Sequence, residues 1–562
     1  MKLHIVKSAL LAWFCFFSSS MYSDIHTGWL SSHVRPSGGL KADAISEESY
    51  LKLHAWRGEQ IYFQALIVSD TDVLDARLKL SELKSEENII NPKVINYGFI
   101  QSVLTDKLGS TWPACNIKGD VEERASTFVM DRLSWDTNQN LESAIVYPVW
   151  IAITIPEETP AGEYNATFYV ESEQGKSKPI SFAISVSNRT LIRSAKTDFH
   201  LDLWQNPYSV ARYFEVPLWS DAHFDAMRPV MERLANAGQK VITTTLIHRP
   251  WNGQTYDPFE SMISITRQKN NTWHFDYTAF DKWVEFMMEV GVKKQINCFS
   301  VAPWNETVRF MDEATSGWQE LKGGFQNQDY AMFWRTYLAD FAAHLKAKGW
   351  FQITTIAMDE RPLQMMKQVI DLIREVDPDF KIALAGDYHT EIEADIYDYC
   401  IPFYGNFPMS ELQKRHREGK VTTYYTCCTE ELPNTFTFSV PAEATWLGWY
   451  AAASNLNGYL RWAYNSWNGN PLQDSRYSKF AAGDCFLVYP ESYSSIRMEK
   501  LVEGIQDYRK IQILKEEFAK DSVKLKSLDN IVAPFRNREN IHSQGAIQMV
   551  SKAKKALSEL VE

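Results

Sequence analysis

The chain has 562 residues, 45% of them hydrophobic and 23% charged, which excludes wholesale disorder and points to two or three folded domains. A net charge of −12 argues against a nucleic-acid partner, which needs a concentrated positive surface, and no Gly-rich phosphate loop is present. The 19 Trp, 26 Tyr and 30 Phe serve either large cores or sugar-stacking platforms, and composition does not separate the two uses.

Residues 1–23 read as a secretory signal. Lys2 and Lys7 are followed by the apolar run Ala9 to Phe17, too short to span a bilayer, and then by the small residues Ser18 to Ser20 and Ser23. The expected location is periplasmic or extracellular. Cys15 raises a lipid anchor, which the bulky Phe14 before it disfavours, and no later segment reads as a membrane span. Residues 24–192 read as an antiparallel β-sandwich. Ile61–Val68 and Tyr147–Thr154 are strand-like, Glu163–Val170 alternates apolar and polar, and Pro160-Ala161-Gly162 is a turn signal. The domain shows no catalytic motif; it either binds glycan or braces the rest of the chain, and bracing is favoured. The polar stretch Asn188–Thr197 reads as a linker.

Residues 193–520 change to strand–helix alternation. Strands are predicted over Asp198–Leu203, Lys240–Leu246, Gln295–Val301, Ile353–Met358, Lys381–Ala385, Tyr399–Tyr404, Val421–Thr426 and Gly458–Ala463. Ser220 caps a helix ending at Gly238, Pro362 stands as a first helical residue before a helix through Val376, and Pro441 opens another. A last helix is predicted from Ser495 to about Phe518. Eight such units predict a (β/α)8 TIM barrel, with residues 521–562 as a C-terminal helical extension. Leu203-Trp204-Gln205-Asn206-Pro207 after the first strand lacks the glycines of a dinucleotide fold.

In such a barrel, chemistry gathers at the carboxyl ends of the strands. Those ends supply Trp204, Asn206, Trp304, Tyr404, Asn406, Trp462, Tyr464 and Trp467, aromatic and amide groups suited to stacking on sugar rings and bonding hydroxyls. Any one of them is equally a packing or turn residue; recurrence around the rim carries the reading. His248 and His389 receive no catalytic role. The six cysteines beyond the signal show no metal-ligand spacing, so neither a metal nor another cofactor is expected. Buried thiols are favoured, with one disulfide as the alternative.

Asp359 and Glu360 end the fourth barrel strand. Two acids before Pro362 also complement the positive end of a helix, but their place at the pocket mouth favours acid catalysis, where a neighbouring carboxylate and partial burial keep a proton near neutral pH. Two routes use such acids. In double displacement, a nucleophile such as Glu430, beside Glu431 at the seventh strand end, sits roughly 5 Å from the acid. In substrate assistance, the sugar's own 2-acetamido oxygen attacks, one carboxylate steadies the resulting oxazolinium ion, and its neighbour moves the proton. Adjacent acids on one strand favour the second route. A secreted glycan-binding protein on a degenerate barrel is the non-catalytic alternative.

The Asp359-Glu360 pair, Gly483-Asp484-Cys485-Phe486-Leu487-Val488-Tyr489-Pro490 and the block Arg497–Tyr508 are similar to glycoside hydrolase family 123, the β-N-acetylgalactosaminidases, over essentially the whole mature chain. The resemblance implies a retaining exo-acting enzyme taking terminal β-linked GalNAc from glycans, with Asp359 stabilising the acetamido group and Glu360 as general acid/base. In the last block, Arg497 and Glu503 read as structural ion-pair residues.

Overall fold

The computed structural model describes residues 24–36, 49–107, 115–117, 119–192 and 198–561. The expected secretory signal, with Cys15, lies outside the described residues, as does 193–197 of the expected linker. Two sheets form the N-terminal domain. One runs in the order Ile25–Leu30, Gln60–Ser69, Tyr147–Thr154, Ile95–Asp106, Ser126–Leu133 and Ser494–Ser495. The other runs Tyr50–Arg57, Ile180–Thr190, Gly162–Ser172, Val73–Leu80 and Asn138–Leu141. All neighbours are antiparallel except Ile180–Thr190 with Tyr50–Arg57, which are parallel. That pairing extends to Thr190 opposite Arg57, so the start of the expected linker is a strand end held by the sheet.

The alternation of Gly162–Ser172 has a simple cause. Tyr164, Ala166, Phe168 and Val170 face the core between the sheets, while the residues between them are more exposed. Gln60–Ser69 does not alternate, because both of its faces are covered. Phe63 and Ile67 enter the inter-sheet core, and Tyr62 packs on the other side with Trp150 and Ile496 of a barrel helix. Ser494–Ser495 pairs with Ser126–Leu133, so the barrel chain lends the sandwich its edge.

The barrel strands are β1 (His200–Leu203), β2 (Val241–Thr245), β3 (Gln295–Phe299), β4 (Thr354–Met358), β5 (Lys381–Ala385), β6 (Asp398–Pro402), β7 (Val421–Tyr425) and β8 (Gly458–Arg461). All neighbouring pairs are parallel. β1 and β2 meet only at the bridge Leu201–Gln239, and two side-chain amides close the seam. Gln239 Oε1 accepts from Leu203 N at 3.0 Å and its Nε2 donates to Val241 O at 2.7 Å. Gln205 Oε1 accepts from Thr243 N at 2.9 Å. Side chains thus take over backbone partners that the ladder leaves open.

Outer helices follow their sequence signals. The Ser220 hydroxyl accepts from His223 N at 3.3 Å to start Asp221–Ala237, and Gly238 ends it at φ 101°, which glycine reaches without a Cβ clash. Pro362 stands just before Leu363–Val376 rather than as its first residue. Strands Ser264–Arg267, Trp273–Asp276, Thr307–Asp312 and Gly317–Lys322 form a further sheet in the segments after β2 and β3, absent from the sequence reading. Helices Ser522–Val532, Glu539–Gln544 and Ala546–Val561 follow the barrel. Lys554 on the last of them reaches Glu503 at 2.9 Å and Asp507 at 3.1 Å, while Arg497 crosses to Asp131 of the sandwich at 3.0 Å. Among the described residues, no helix is long and apolar enough to cross a membrane.

Candidate active site

Strand phase decides what lies at the barrel mouth. Side chains alternate in and out, so Asp359 follows Ala357 on the inner face of β4, Tyr425 follows Thr423 on β7, and Trp462 follows Leu460 on β8. The inner layer beneath contains Ala357, Ala383, Ala385 and Cys400, all small, and their size leaves a cleft of about 270 Å³. Trp204, Trp304 and Trp462 line it, with Asp359, Glu360, Tyr425, Gln254 and Thr429. Apolar rings with a few convergent polar groups are the composition of a carbohydrate pocket.

The two acids are held by different partners. Asp359 Oδ2 accepts from the Trp304 indole at 3.1 Å and its Oδ1 from Glu360 N at 2.9 Å. Glu360 Oε1 accepts from the Tyr425 hydroxyl. Burial, and then the Glu360 charge, push the Asp359 carboxyl up to about 7, against the pull of its N–H donors and Arg361. Burial and then Glu360 also raise the Tyr425 phenol far above its ordinary value, so it remains a donor.

Trp462 is fixed from behind. Its indole donates to Asp484 Oδ1 at 3.1 Å, and the same oxygen takes Arg461 at 2.7 Å, with both ends of that ion pair fully buried. Gly483, at φ 81°, admits the turn; a Cβ there would meet Thr437 Oγ1 at 2.2 Å. The Gly483-Asp484 segment therefore acts on the pocket through Trp462.

Of the eight rim residues expected to bind substrate, Trp204, Trp304 and Trp462 line the cleft and five do not. Asn206 is buried as the cap of the helix Pro207–Tyr213, accepting from Tyr208 N at 3.0 Å. Tyr464 and Trp467 are fully buried, with the phenol on Val230 O at 2.9 Å and the indole on Val488 O at 2.8 Å. Tyr404 and Asn406 are engaged by Arg538 of the C-terminal segment, whose guanidinium lies over the Tyr404 ring and donates to Asn406 Oδ1 at 2.8 Å. Glu430 is buried, its carboxylate accepting from Cys427 N at 2.7 Å, and it does not line the cleft. Its loop keeps it for a turn.

The sequence reading missed Tyr425, which in-phase counting along β7 would have found. It also favoured buried thiols, whereas Cys115 and Cys428, both lining the cleft, form a disulfide across a sequence separation of 313, beyond any local signal. Cys298, Cys400 and Cys485 are buried thiols and Cys427 is half-buried. Among the described residues, no cluster of His, Cys, Asp and Glu could hold a metal ion.

An eight-stranded barrel with paired acids in an aromatic cleft at its carboxyl rim is the arrangement a glycoside hydrolase uses. The profile of the glycoside hydrolase 123 catalytic domain matches residues 204–514 and that of the glycoside hydrolase 123 N-terminal domain residues 39–172. The chain belongs to glycoside hydrolase family 123. A family 123 glycoside hydrolase from Clostridium perfringens, described for glycolipid glycan hydrolysis, is similar at a TM-score of 0.87 and 26% identity, over 96% of this chain and 97% of that one. A family 5 xyloglucanase from Bacteroides ovatus aligns at a TM-score of 0.29 and 9% identity, over 82% and 98% of the two chains. No curated protein matches.

Proposed function

We propose that the protein is an exported, retaining exo-β-N-acetylgalactosaminidase that removes terminal β-linked GalNAc by substrate assistance. The observation that carries this reading is that Asp359 and Glu360 share one cleft, each with its own hydrogen-bond donor. The acetamido oxygen attacks the anomeric carbon, Asp359 accepts the acetamido N–H and balances the oxazolinium charge, and Glu360 protonates the departing oxygen. Glu360, now a carboxylate, then takes a proton from the water that opens the ring from the vacated face. Below about pH 7 the free Asp359 is protonated and a poor partner for that cation. Substrate binding, by placing the N–H against it, favours its ionised form.

Three supports bear on the finer points. The family and the glycolipid glycans named for the Clostridium perfringens enzyme favour a GalNAc-ended glycan. The turn that occupies Glu430 favours substrate assistance over double displacement. The disulfide favours an oxidising compartment and hence export. Hydrolysis of aryl β-GalNAc, β-GlcNAc, β-galactose and β-glucose tests the reading. GalNAc should be the best of the four, the first-released anomer should be β, and a thiazoline mimic of the intermediate should inhibit. Equal turnover of sugars lacking the acetamido group would sink it.

A further inference from the structure

One wall of the cleft comes from the N-terminal domain. Of the segment between the strands Ile95–Asp106 and Ser126–Leu133, residues 115–117 lie at the barrel mouth, where Cys115 and Asn116 line the cleft. The described parts of this segment and its flanks are fastened to the barrel at three places. At the root, Leu104 N donates to Gln473 O at 2.8 Å, and Asp106 Oδ2 accepts from Ala482 N at 2.8 Å. On the return, Arg476 donates to Val121 O at 2.9 Å. Beside Asn116 itself, Ile117 N donates to Lys479 O at 3.1 Å and Cys115 is bonded to Cys428, itself a lining residue.

We propose that Asn116 is a substrate-binding residue, its side-chain amide hydrogen-bonding a hydroxyl of the glycan, and that the Cys115–Cys428 bond holds it in place for that purpose. A disulfide closing so long a loop stabilises the fold wherever it sits; this one sits in the residue immediately before Asn116 and joins two parts of the cleft wall. Asn116 has a left-handed backbone, φ 52°, which asparagine tolerates and glycine adopts freely. A turn alone is therefore served by either residue. What asparagine adds at this exposed position is a donor and an acceptor at a cleft where Asp359, Glu360 and Tyr425 already bond one another and Trp304, leaving Asn116 to join Gln254 and Thr429 as further polar lining. The sandwich then contributes directly to recognition as well as bracing the barrel.

This inference rests on the hexosaminidase reading, and the wild-type arm of its test separates the two. Wild type, Asn116→Gly, Asn116→Asp and the double variant Cys115→Ser with Cys428→Ser are compared on a trisaccharide ending in β-GalNAc, with melting temperature measured for each. Glycine adopts the left-handed backbone freely while removing the amide, and the melting temperature reports any loosening it adds. The expected result is a KM raised roughly 3- to 10-fold in Asn116→Gly, the worth of one hydrogen bond, with kcat within about 2-fold and an unchanged melting temperature. Aspartate should recover part of the loss, and the double serine variant should raise KM with Asn116 intact. A wild-type KM in Asn116→Gly overturns the inference and leaves the activity standing, as does a loss that follows melting temperature alone. Failure of the wild type to cleave the trisaccharide or any aryl N-acetylhexosaminide removes the function and this inference together.

Discussion

The mouth of the barrel and the start of the helix Pro441–Ala453 each hold a carboxyl group pushed up to about 7, Asp359 in one place and Glu443 in the other. Burial is the first cause in both. At Asp359 the second is a like charge, Glu360, in an open cleft. Glu443 instead gives both carboxylate oxygens to backbone donors, Val440 N and Asn434 N, each at 2.8 Å, and is buried within the fold. A raised carboxyl is therefore a candidate for a functional role only where a substrate can reach it, as at Asp359 and not at Glu443.

Substitutions that neutralise each group sharpen this contrast. Asp359→Asn and Glu360→Gln should each lower kcat on an N-acetyl substrate by about 10²- to 10⁴-fold, measured with a good leaving group and a poor one, the Glu360→Gln loss being larger for the poor one. Tyr425→Phe, which deletes the donor to Glu360, should lower kcat by roughly 10-fold or more, the worth of a hydrogen bond to a charged group. Glu443→Gln should leave kcat within about 3-fold and cost about 1–3 kcal/mol of stability in denaturant unfolding, because a carboxylate oxygen facing a backbone N–H becomes an amide nitrogen. A large loss of kcat in folded Glu443→Gln protein would break the comparison.

The pH dependence is the smallest effect and separates the two groups most cleanly. The folded protein holds each proton more tightly than the unfolded chain does. Each group's favourable contribution is therefore complete below the ordinary carboxyl range and lost as pH rises from there through about 7. Glu443→Gln should flatten that part of the stability profile without moving the activity profile. The acidic limb of kcat/KM should lie near 7 in the wild type and move to lower pH in Glu360→Gln, where Asp359 loses its charged neighbour. A limb that stays in place would assign it to another group.

Much of the barrel was legible because β-strands and helices announce themselves locally. The predicted strand Lys381–Ala385 matches β5 at both ends, and the other strands differ from prediction by a few residues at most. The Ser220 and Gly238 signals bracket a real helix. Asp359-Glu360 was legible because two acids directly after an apolar run must emerge at the strand's end. The inserted sheet around Trp273 and Phe310 was not, since its short strands alternate too briefly to stand out from the long loops that carry them.

Rim residues behaved differently. The two-residue period carries one step past the ladder, to Trp462, and then lapses, so it wrongly leaves Tyr464 as good a lining candidate as Trp462. Asn206 looked like a sugar ligand and is a helix cap; Trp467 looked like a platform and is core. Sequence by itself determined the order of strands and helices, the barrel, and the acids at the end of β4, because each follows from the periodicity and phase of neighbouring residues. Only the tertiary structure decided which aromatics make the cleft, that Tyr425 serves Glu360, and that Cys115 reaches Cys428, because those depend on contacts between residues far apart in the chain, where backbone phase carries no information.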